Sequence, residues 1–551
     1  MRTLKVGLLL DDSFCNKYIH ELVYWASRQP DVEISHLVIF KRPPVSFLKK
    51  IGKLGSGNGF GYLGSRLLFR FVLMIEKLIL RFNSLHRAHF DTLDLSQKVT
   101  EKITIESQPS AFGSSYQFSP EEAQRVKALD LDLLIAFGVE LMHGEILNAS
   151  RLGIISVASA GNNIYRGGPA GFWESYYKHP KTGFVIQRLT EEKIRNVLVS
   201  GYFSTKFLFS LNQASLYSKI SPHLKQLLKD VAARGCLPEI EKHQPYSGVV
   251  RHFPNSLQSV RYLFKIAGRI SARTLFRIAS YQKKWEISFV SSGWDKAVLW
   301  DSINAKAPRG HFWADPFVYA HGGKTYCFVE DYIYKTDCAH ISVLEVNETG
   351  VNQIGECLRE PFHLSFPFLF NYGGQLYMCP ECSGSRQIRI YRCARFPLQW
   401  ELAAVAMDDI SAADTMLFEH AGIWWMLTSI DKSELNDYCS ELYLFSSNTP
   451  IGAEWEPHPQ NPIRIDSEGG RNAGLLFDDG KIFRLAQRQG YDQYGQGLLM
   501  YEITGLSKTI YTEKLFSEIN PYFKEGLLGV HHLSTTGKIT VFDHVSRSFA
   551  P

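Results

Sequence analysis

In the first 235 residues, apolar positions come as short continuous runs set between stretches of helical spacing. "LKVGLLL" (4–10) is followed by the amphipathic "NKYIHELVYWASRQ" and then by "VEISHLVIF" (32–40). "LDLLIAFG", "GIISVAS", "GFVIQRL" and "VLVSGYF" continue the series, each short enough for a strand buried on both faces of a parallel sheet. "NQASLYSKISPHLKQLLKDVAARG" reads as a closing helix that stops at Gly235. The pattern predicts an α/β domain of Rossmann type over 1–235.

A basic insert at 41–90 interrupts this pattern. Within it, "SRLLFRFVLMIEKLILRFN" is apolar but too charged to span a bilayer. On a helix, Arg66, Arg70, Lys77 and Arg81 fall within about 60° of one another, beside a wide apolar face. Such a stripe is either the solvated edge of a core-packed helix or a weak contact for an anionic membrane surface. Residues 236–284 read as a Pro-bearing linker followed by a basic helix.

From residue 285 the pattern changes to short strands and tight turns, and it repeats. "DPFVYAHGGKTYCFVE", "FPFLFNYGGQLYMCPE", "DTMLFEHAGIWWMLTS" and "NAGLLFDDGKIFRLAQ" align without gaps from Asp315, Phe366, Asp414 and Asn472. Each carries Gly eight residues on, at 323, 374, 422 and 480, as a hairpin turn requires. A looser fifth copy, "GVHHLSTTGKITVFDH", carries Gly537. Third strands follow as "HISVLEV", "QIRIYRC", "ELYLFSS" and "GLLMYEI". Five four-stranded repeats predict an all-β five-bladed propeller over 285–551, with "WEISFVS" (285–291) closing the ring against the last blade.

Composition refines this picture only slightly. A formal charge of +5 over 551 residues does not favour nucleic acid as a partner. The N-terminal apolar run is short, ends in two Asp and lacks a small-residue cleavage site, unlike a secretory signal. Nine scattered Cys fit reduced thiols and a cytoplasmic location, peripheral to the inner membrane face if the basic stripe meets lipid. Cys379 and Cys382 form one CxxC with no second pair at metal spacing, so neither a metal nor any other cofactor is expected.

"GII-x-V … YRGGPAGFWE" (153–174), followed by "TGFVIQRLT", resembles the folate-dependent formyltransferases and formyltransferase-like domains fused to propellers. That resemblance implies an Asn and a His where Ser156 and Ala158 stand, with His also at Ser159 in the closer relatives, and an acidic loop near "EEKIRN" (191–196). In formyl transfer those donors stabilise the oxyanion while the acid manages the proton. With Ala158 unable to donate and no Asp between Thr190 and Val199, the domain is expected to keep the fold and lack the activity.

In a propeller the first strands line the axis, so hairpin starts and second-strand ends face one another. This places Asp315 and Asp414 from the starts with Glu330 and Glu381 from the ends, as candidate catalytic carboxylates. Trp313, Arg471, Gln487, Arg488 and His531 are candidate substrate-binding residues around them. "HFWADPFV" resembles the first-blade motif of family 43-type glycosidases, which implies a general base at Asp315; Phe366 departs from the second-blade Asp of that pattern. The whole propeller more closely resembles the N-terminal propeller of glucosamine inositolphosphorylceramide transferases, which implies a glycan context.

Three functions remain open on the sequence. One is a carbohydrate-active protein of cell-surface polysaccharide biosynthesis, acting on a glycan or nucleotide-sugar by transfer or hydrolysis. The second is a sugar N-formyltransferase with an altered site, and the third a glycan-binding scaffold without catalysis.

Overall fold

The computed structural model describes residues 2–41, 58–109, 116–138, 142–158, 164, 167–191, 196–239, 246, 248–279 and 281–549. The chain divides into two compact units, Met1–Arg269 and Ile270–Pro551. Among the described residues no helix is long and apolar enough to cross a membrane.

The first unit is built on a nine-stranded mixed sheet. Leu4–Leu10 lies near its centre, parallel to Val32–Lys41 and to Leu133–Phe137, which in turn pairs in parallel with Ile154–Ala158. Leu8, Leu9, Leu37, Leu134 and Ile154 are fully buried, as continuous apolar runs at a sheet centre require. One expectation fails at the edge. Lys181–Arg188 and Asn196–Ser204 are antiparallel to each other, and the first is antiparallel to Ile154–Ala158. Only the residues between 188 and 196 link them, too few for the crossover that parallel pairing demands. Glu101–Pro109 likewise pairs antiparallel with Tyr116–Phe118, so the sheet is mixed instead of uniformly parallel.

Glycines of the "YRGGPAG" segment have a structural role in this unit. A Cβ on Gly167 would lie 2.3 Å from the Arg251 carbonyl oxygen, and one on Gly168 would lie 2.6 Å from Trp173 Nε1. The 250–252 backbone packs into that space, and Trp173 Nε1 donates to the His252 carbonyl at 3.2 Å. Ser156 is fully buried within the Ile154–Ala158 strand. The side chain of Ala158, residue Ser159 and most of the 191–196 loop lie outside the described residues.

The second unit is a five-bladed β-propeller. Blade one is His311–His321, Lys324–Ile333, Cys338–Asn347 and Gly350–Leu358, and blades two to four begin at Ser365–Tyr372, Ala412–His420 and Glu468–Asp478. Blade five is composite: Tyr281–Val290 pairs along its whole length with Thr540–Phe549, closing the ring between the start and end of the domain. The four repeat glycines, 323, 374, 422 and 480, have φ of 78°, 75°, 74° and 73°, and the residue before each is also left-handed. Two consecutive positive-φ residues make the type I′ turn whose twist matches a two-residue hairpin. Packing between blades uses the aromatic residues: Phe366, Phe368, Trp424 and Trp425 belong to one buried cluster.

All nine cysteines are free. Cys379 and Cys382 are buried, and desolvation holds both thiols above their ordinary pKa, which makes them poor thiolate ligands.

Candidate functional site

Blades one, two and three open on the same backbone irregularity. Their first ladders skip from Ala314 to Phe317, from Ser365 to Phe368 and from Ala413 to Met416. The residue entering each skip is Asp315, Phe366 or Asp414, with φ of 48°, 47° and 48°. Left-handed backbone at a non-glycine residue costs roughly 1–2 kcal/mol, and a bulge re-aims the side chain it carries. The residues just before the skips pair with the second-strand ends: Ala314 with Glu330, Ser365 with Glu381, and Ala413 with Ser429. In blade four the corresponding pair is Arg471 and Gln487. Arg471 therefore stands where the other blades have Ala or Ser.

That guanidinium gathers one group of acids. Arg471 Nε donates to Asp414 Oδ2 at 2.5 Å, and its Nη2 donates to Asp414 Oδ1 at 3.1 Å and to Glu381 Oε2 at 3.0 Å. Gln487 Nε2 donates to Asp414 Oδ2 at 3.0 Å. Residues from blades two, three and four thus meet on one cation. Burial pushes the Asp414 carboxyl up to about 7 against the Arg471 charge, and the neighbouring Glu381 adds to the rise.

A second group joins blades five and one. Asp543 Oδ2 accepts the Asp315 N–H at 3.0 Å, and Oδ1 accepts the N–H groups of His531 and His532 at 3.1 and 2.9 Å. His531 Nδ1 lies 2.7 Å from Asp543, and its Nε2 lies 3.5 Å from Asp315 Oδ1. The ring stacks on Trp285 with centroids 3.9 Å apart. Burial opposes protonation of His531, but Asp543 and Asp315 outweigh it and raise the imidazole to about 9. Asp315 is itself pushed well above the usual carboxylate range by burial, against the His531 charge and reinforced by Glu330, Asp414 and Asp543. Its Oδ2 accepts the Phe366 N–H at 3.2 Å, whereas its buried Oδ1 has no hydrogen-bond donor. At the outer edge, His363 Nε2 lies 3.1 Å from Glu330 Oε1. Side-chain exposure rises from 1% at Asp414 through 7% at Asp315, 10% at Glu381 and 11% at Glu330 to 42% at His363, which puts the acids beneath a solvent-facing rim.

The structure therefore brings Asp315, Glu330, Glu381, Asp414, Arg471, Gln487 and His531 into one electrostatically connected region. It does not bring Trp313 or Arg488 there. Trp313 is buried in the apolar cluster with Ile287, Phe289 and Val329, because the residues beside the bulge alternate toward the core. Arg488 pairs with Glu518 at 3.1 Å and also bonds Asn520, since the residue after Gln487 faces the opposite side of its strand. Phe366 is fully buried and packs edge-on to Phe317 and His532. Sequence reasoning missed Asp543, His363 and Trp285. Asp543 sits in the irregular fifth hairpin, His363 in an inter-blade loop and Trp285 in the closing strand, so none follows from the repeat spacing.

Asp315, His531 and Asp543 offer ligating atoms within 4.8 Å of one another, the one such trio found among the described residues. Asp543 is already committed to His531 and to three backbone N–H groups.

Solved structures with 13% and 12% identity include a family 117 glycoside hydrolase of Zobellia galactanivorans and the catalytic domain of a Coprinopsis cinerea GH62 α-L-arabinofuranosidase. They cover 48% of this chain each, and 90% and 98% of their own, with TM-scores of 0.31 and 0.33. Glucosamine inositolphosphorylceramide transferase 1 of Oryza sativa subsp. japonica and that of Arabidopsis thaliana are each 36% identical over 208 residues, 37% of this chain. The match spans 28% and 27% of those relatives, under a third of their length. Residues 294–525, most of the propeller, match the family described as glucosamine inositolphosphorylceramide transferase 1, N-terminal.

Proposed function

We propose that the propeller is a carbohydrate-active domain that binds and processes a glycan or nucleotide-sugar where Asp315, Glu330, Glu381 and Asp414 converge. The observation that carries this reading is Asp315. It combines a left-handed backbone and a buried position with a carboxyl oxygen held by no hydrogen bond, only by the His531 ion pair at 3.5 Å. Backbone strain and a buried carboxyl without a full set of hydrogen bonds are costs that recur at functional sites. The match of residues 294–525 to a family named for a glycosylating transferase supports the sugar context.

The electrostatics support distinct roles for the carboxylates. Burial raises the Asp315 carboxyl well above the ordinary carboxylate range, a shift that favours its acid form and suits it as a donor to a departing glycosidic or phosphate oxygen, rather than the base implied by the family 43 resemblance. Glu381, held by Arg471, faces the site as the complementary carboxylate that activates an incoming hydroxyl or stabilises positive charge at the anomeric carbon. Through Nε and Nη2, Arg471 holds Asp414 and Glu381 in place. A non-catalytic glycan-binding role is the second reading, favoured by Asp414, whose two oxygens are both occupied by Arg471 and Gln487.

Turnover of a panel of nucleotide-sugars and aryl glycosides by the full chain distinguishes the two readings. Loss of product formation in Asp315→Asn at unchanged thermal stability supports catalysis. Sugar binding by calorimetry with no turnover in the parent protein supports the binding role.

For residues 1–235 we infer a formyltransferase-like fold without formyl transfer. Burial of Ser156 and the packing role of Gly167 and Gly168 support this reading, because both account for the motif without chemistry. Formylation of an amino-sugar nucleotide from 10-formyltetrahydrofolate by the full chain at ordinary enzymatic rates refutes it.

A further inference from the structure

The Asn58–Ile79 helix turns an apolar face outward. Leu63, Leu67, Phe71, Met74 and Leu78 are 48%, 56%, 47%, 58% and 63% exposed, and Phe82, just past the helix end, is 81% exposed. At about 100° per residue these six positions occupy one sector about 100° wide. The opposite face is the one that packs: Ser65, Phe69, Val72 and Glu76 are buried.

Charge is distributed just as unevenly. Arg70, Lys77 and Arg81 are exposed along one edge of the apolar sector, and Arg66, also at that edge, lies over the Phe253 ring at 3.7 Å. The sole acid between residues 58 and 83 is Glu76, which is fully buried. Its carboxylate accepts the N–H groups of Phe209 and Ser210 at 2.9 and 2.8 Å and the Tyr262 hydroxyl at 2.5 Å. Among the described side chains, from Leu63 to Phe82, the one negative charge is turned inward and cations and large apolar side chains face outward.

We propose that this face is a docking surface for an anionic lipid membrane, with the helix lying in the interface and Arg70, Lys77 and Arg81 reaching the headgroups. An apolar sector flanked by cations is the form that binds lipid at the acyl–headgroup boundary, since long basic side chains cover apolar surface while their charges stay in the polar layer. The same charges disfavour a second copy of the chain as occupant. A self-associating seam carries flanking charges of both signs, whereas two copies of this face would oppose cation to cation.

Flotation of the full chain with vesicles of phosphatidylcholine, alone or with added phosphatidylglycerol, tests the proposal. Partition onto the phosphatidylglycerol vesicles is expected, with affinity falling as salt rises. Arg70→Gln and Lys77→Gln should each weaken it roughly five-fold. Phe71→Ser with Leu78→Ser should weaken it at least about ten-fold at any salt concentration. All four positions are exposed, so circular dichroism should match the parent protein. Absence of partition onto the anionic vesicles, or partition that neither pair of substitutions alters, overturns the proposal. So does a dimer in sedimentation velocity that Phe71→Ser converts to monomer without any vesicle binding, because the face then belongs to self-association.

Discussion

The carboxylate of Asp315 accepts the backbone N–H of Phe366 at 3.2 Å, so the opening residue of blade one holds the opening residue of blade two. One blade earlier the relationship recurs, with Asp543 accepting the N–H of Asp315 at 3.0 Å. This run of side chain to backbone links ends at Phe366, which has no acceptor. Across blades two, three and four the Arg471 cation takes over by joining Glu381 and Asp414. The same residues therefore brace the ring and concentrate carboxylates, and substitutions must be chosen to separate the two effects.

Asp315→Asn makes that separation. An Asn carbonyl oxygen can still accept the Phe366 N–H, so stability should change by less than about 1 kcal/mol. The acidic proton is lost, and any glycan turnover should go with it. Asp315→Ala removes the acceptor as well and should cost about 1–3 kcal/mol in urea denaturation. Equal stability losses in Asn and Ala would mean that charge, and not the bond to Phe366, sets the structural contribution.

Arg471→Met should be among the most damaging single changes in the propeller. It leaves Asp414 and Glu381 buried together without their cation, at a cost of about 3–5 kcal/mol. The penalty belongs to the ionised carboxylates, so it should shrink as pH falls and they protonate. Adding Asp414→Asn to Arg471→Met should recover part of the loss, as a double-mutant cycle by chemical denaturation would read.

The propeller was legible because its signals are local and repeated. The spacing to Gly323, Gly374, Gly422 and Gly480 encodes four turns of one geometry, and the same alignment puts Glu330 and Glu381 at equivalent ladder positions. Side-chain direction was less legible. Trp313 and Arg488 are each one residue from a site position, and a period of two sends such neighbours to opposite faces. Asp543 was missed because the fifth hairpin breaks the spacing that located the others. In the first unit, the Lys181–Arg188 run is equally compatible with parallel and antiparallel pairing, and only the short connection to Asn196 decides between them.

His531 should make the propeller's stability fall at alkaline pH. Its folded pKa is raised to about 9 from the ordinary imidazole value of 6.5, so the native state holds the proton more tightly than the unfolded chain. That contribution is fully present below pH 6.5 and is lost as pH rises through about 9, amounting to at most about 3 kcal/mol. The groups facing the ring are Asp543, Asp315, Asp414, Trp285 and Tyr494. Asp543, whose pKa is lowered chiefly by His531 against burial, contributes in the opposite range: its share is lost as pH falls. His531→Gln should flatten the alkaline slope of denaturation midpoints. An unchanged slope would show that His531 is not the titrating group.

Glu76 should be worth more to the first unit than a surface carboxylate, because three donors converge on it. The Phe209–Arg234 helix begins at Leu208, which has no side-chain cap, and Glu76 supplies that function from a distant part of the sequence by accepting the first two N–H groups. Its charge also complements the positive end of that helix. Glu76→Ala leaves the Ser210 N–H and the Tyr262 hydroxyl buried without that acceptor, while the Phe209 N–H keeps the Tyr262 hydroxyl oxygen at 2.6 Å, at a cost of roughly 2–3 kcal/mol. Glu76→Gln keeps one acceptor oxygen but loses the charge, so an intermediate cost is expected. Hydrogen exchange gives the local readout: the amide of Ser210 should lose protection most in Glu76→Ala. If its protection is unchanged while global stability falls, the carboxylate acts through Tyr262 and not as the cap.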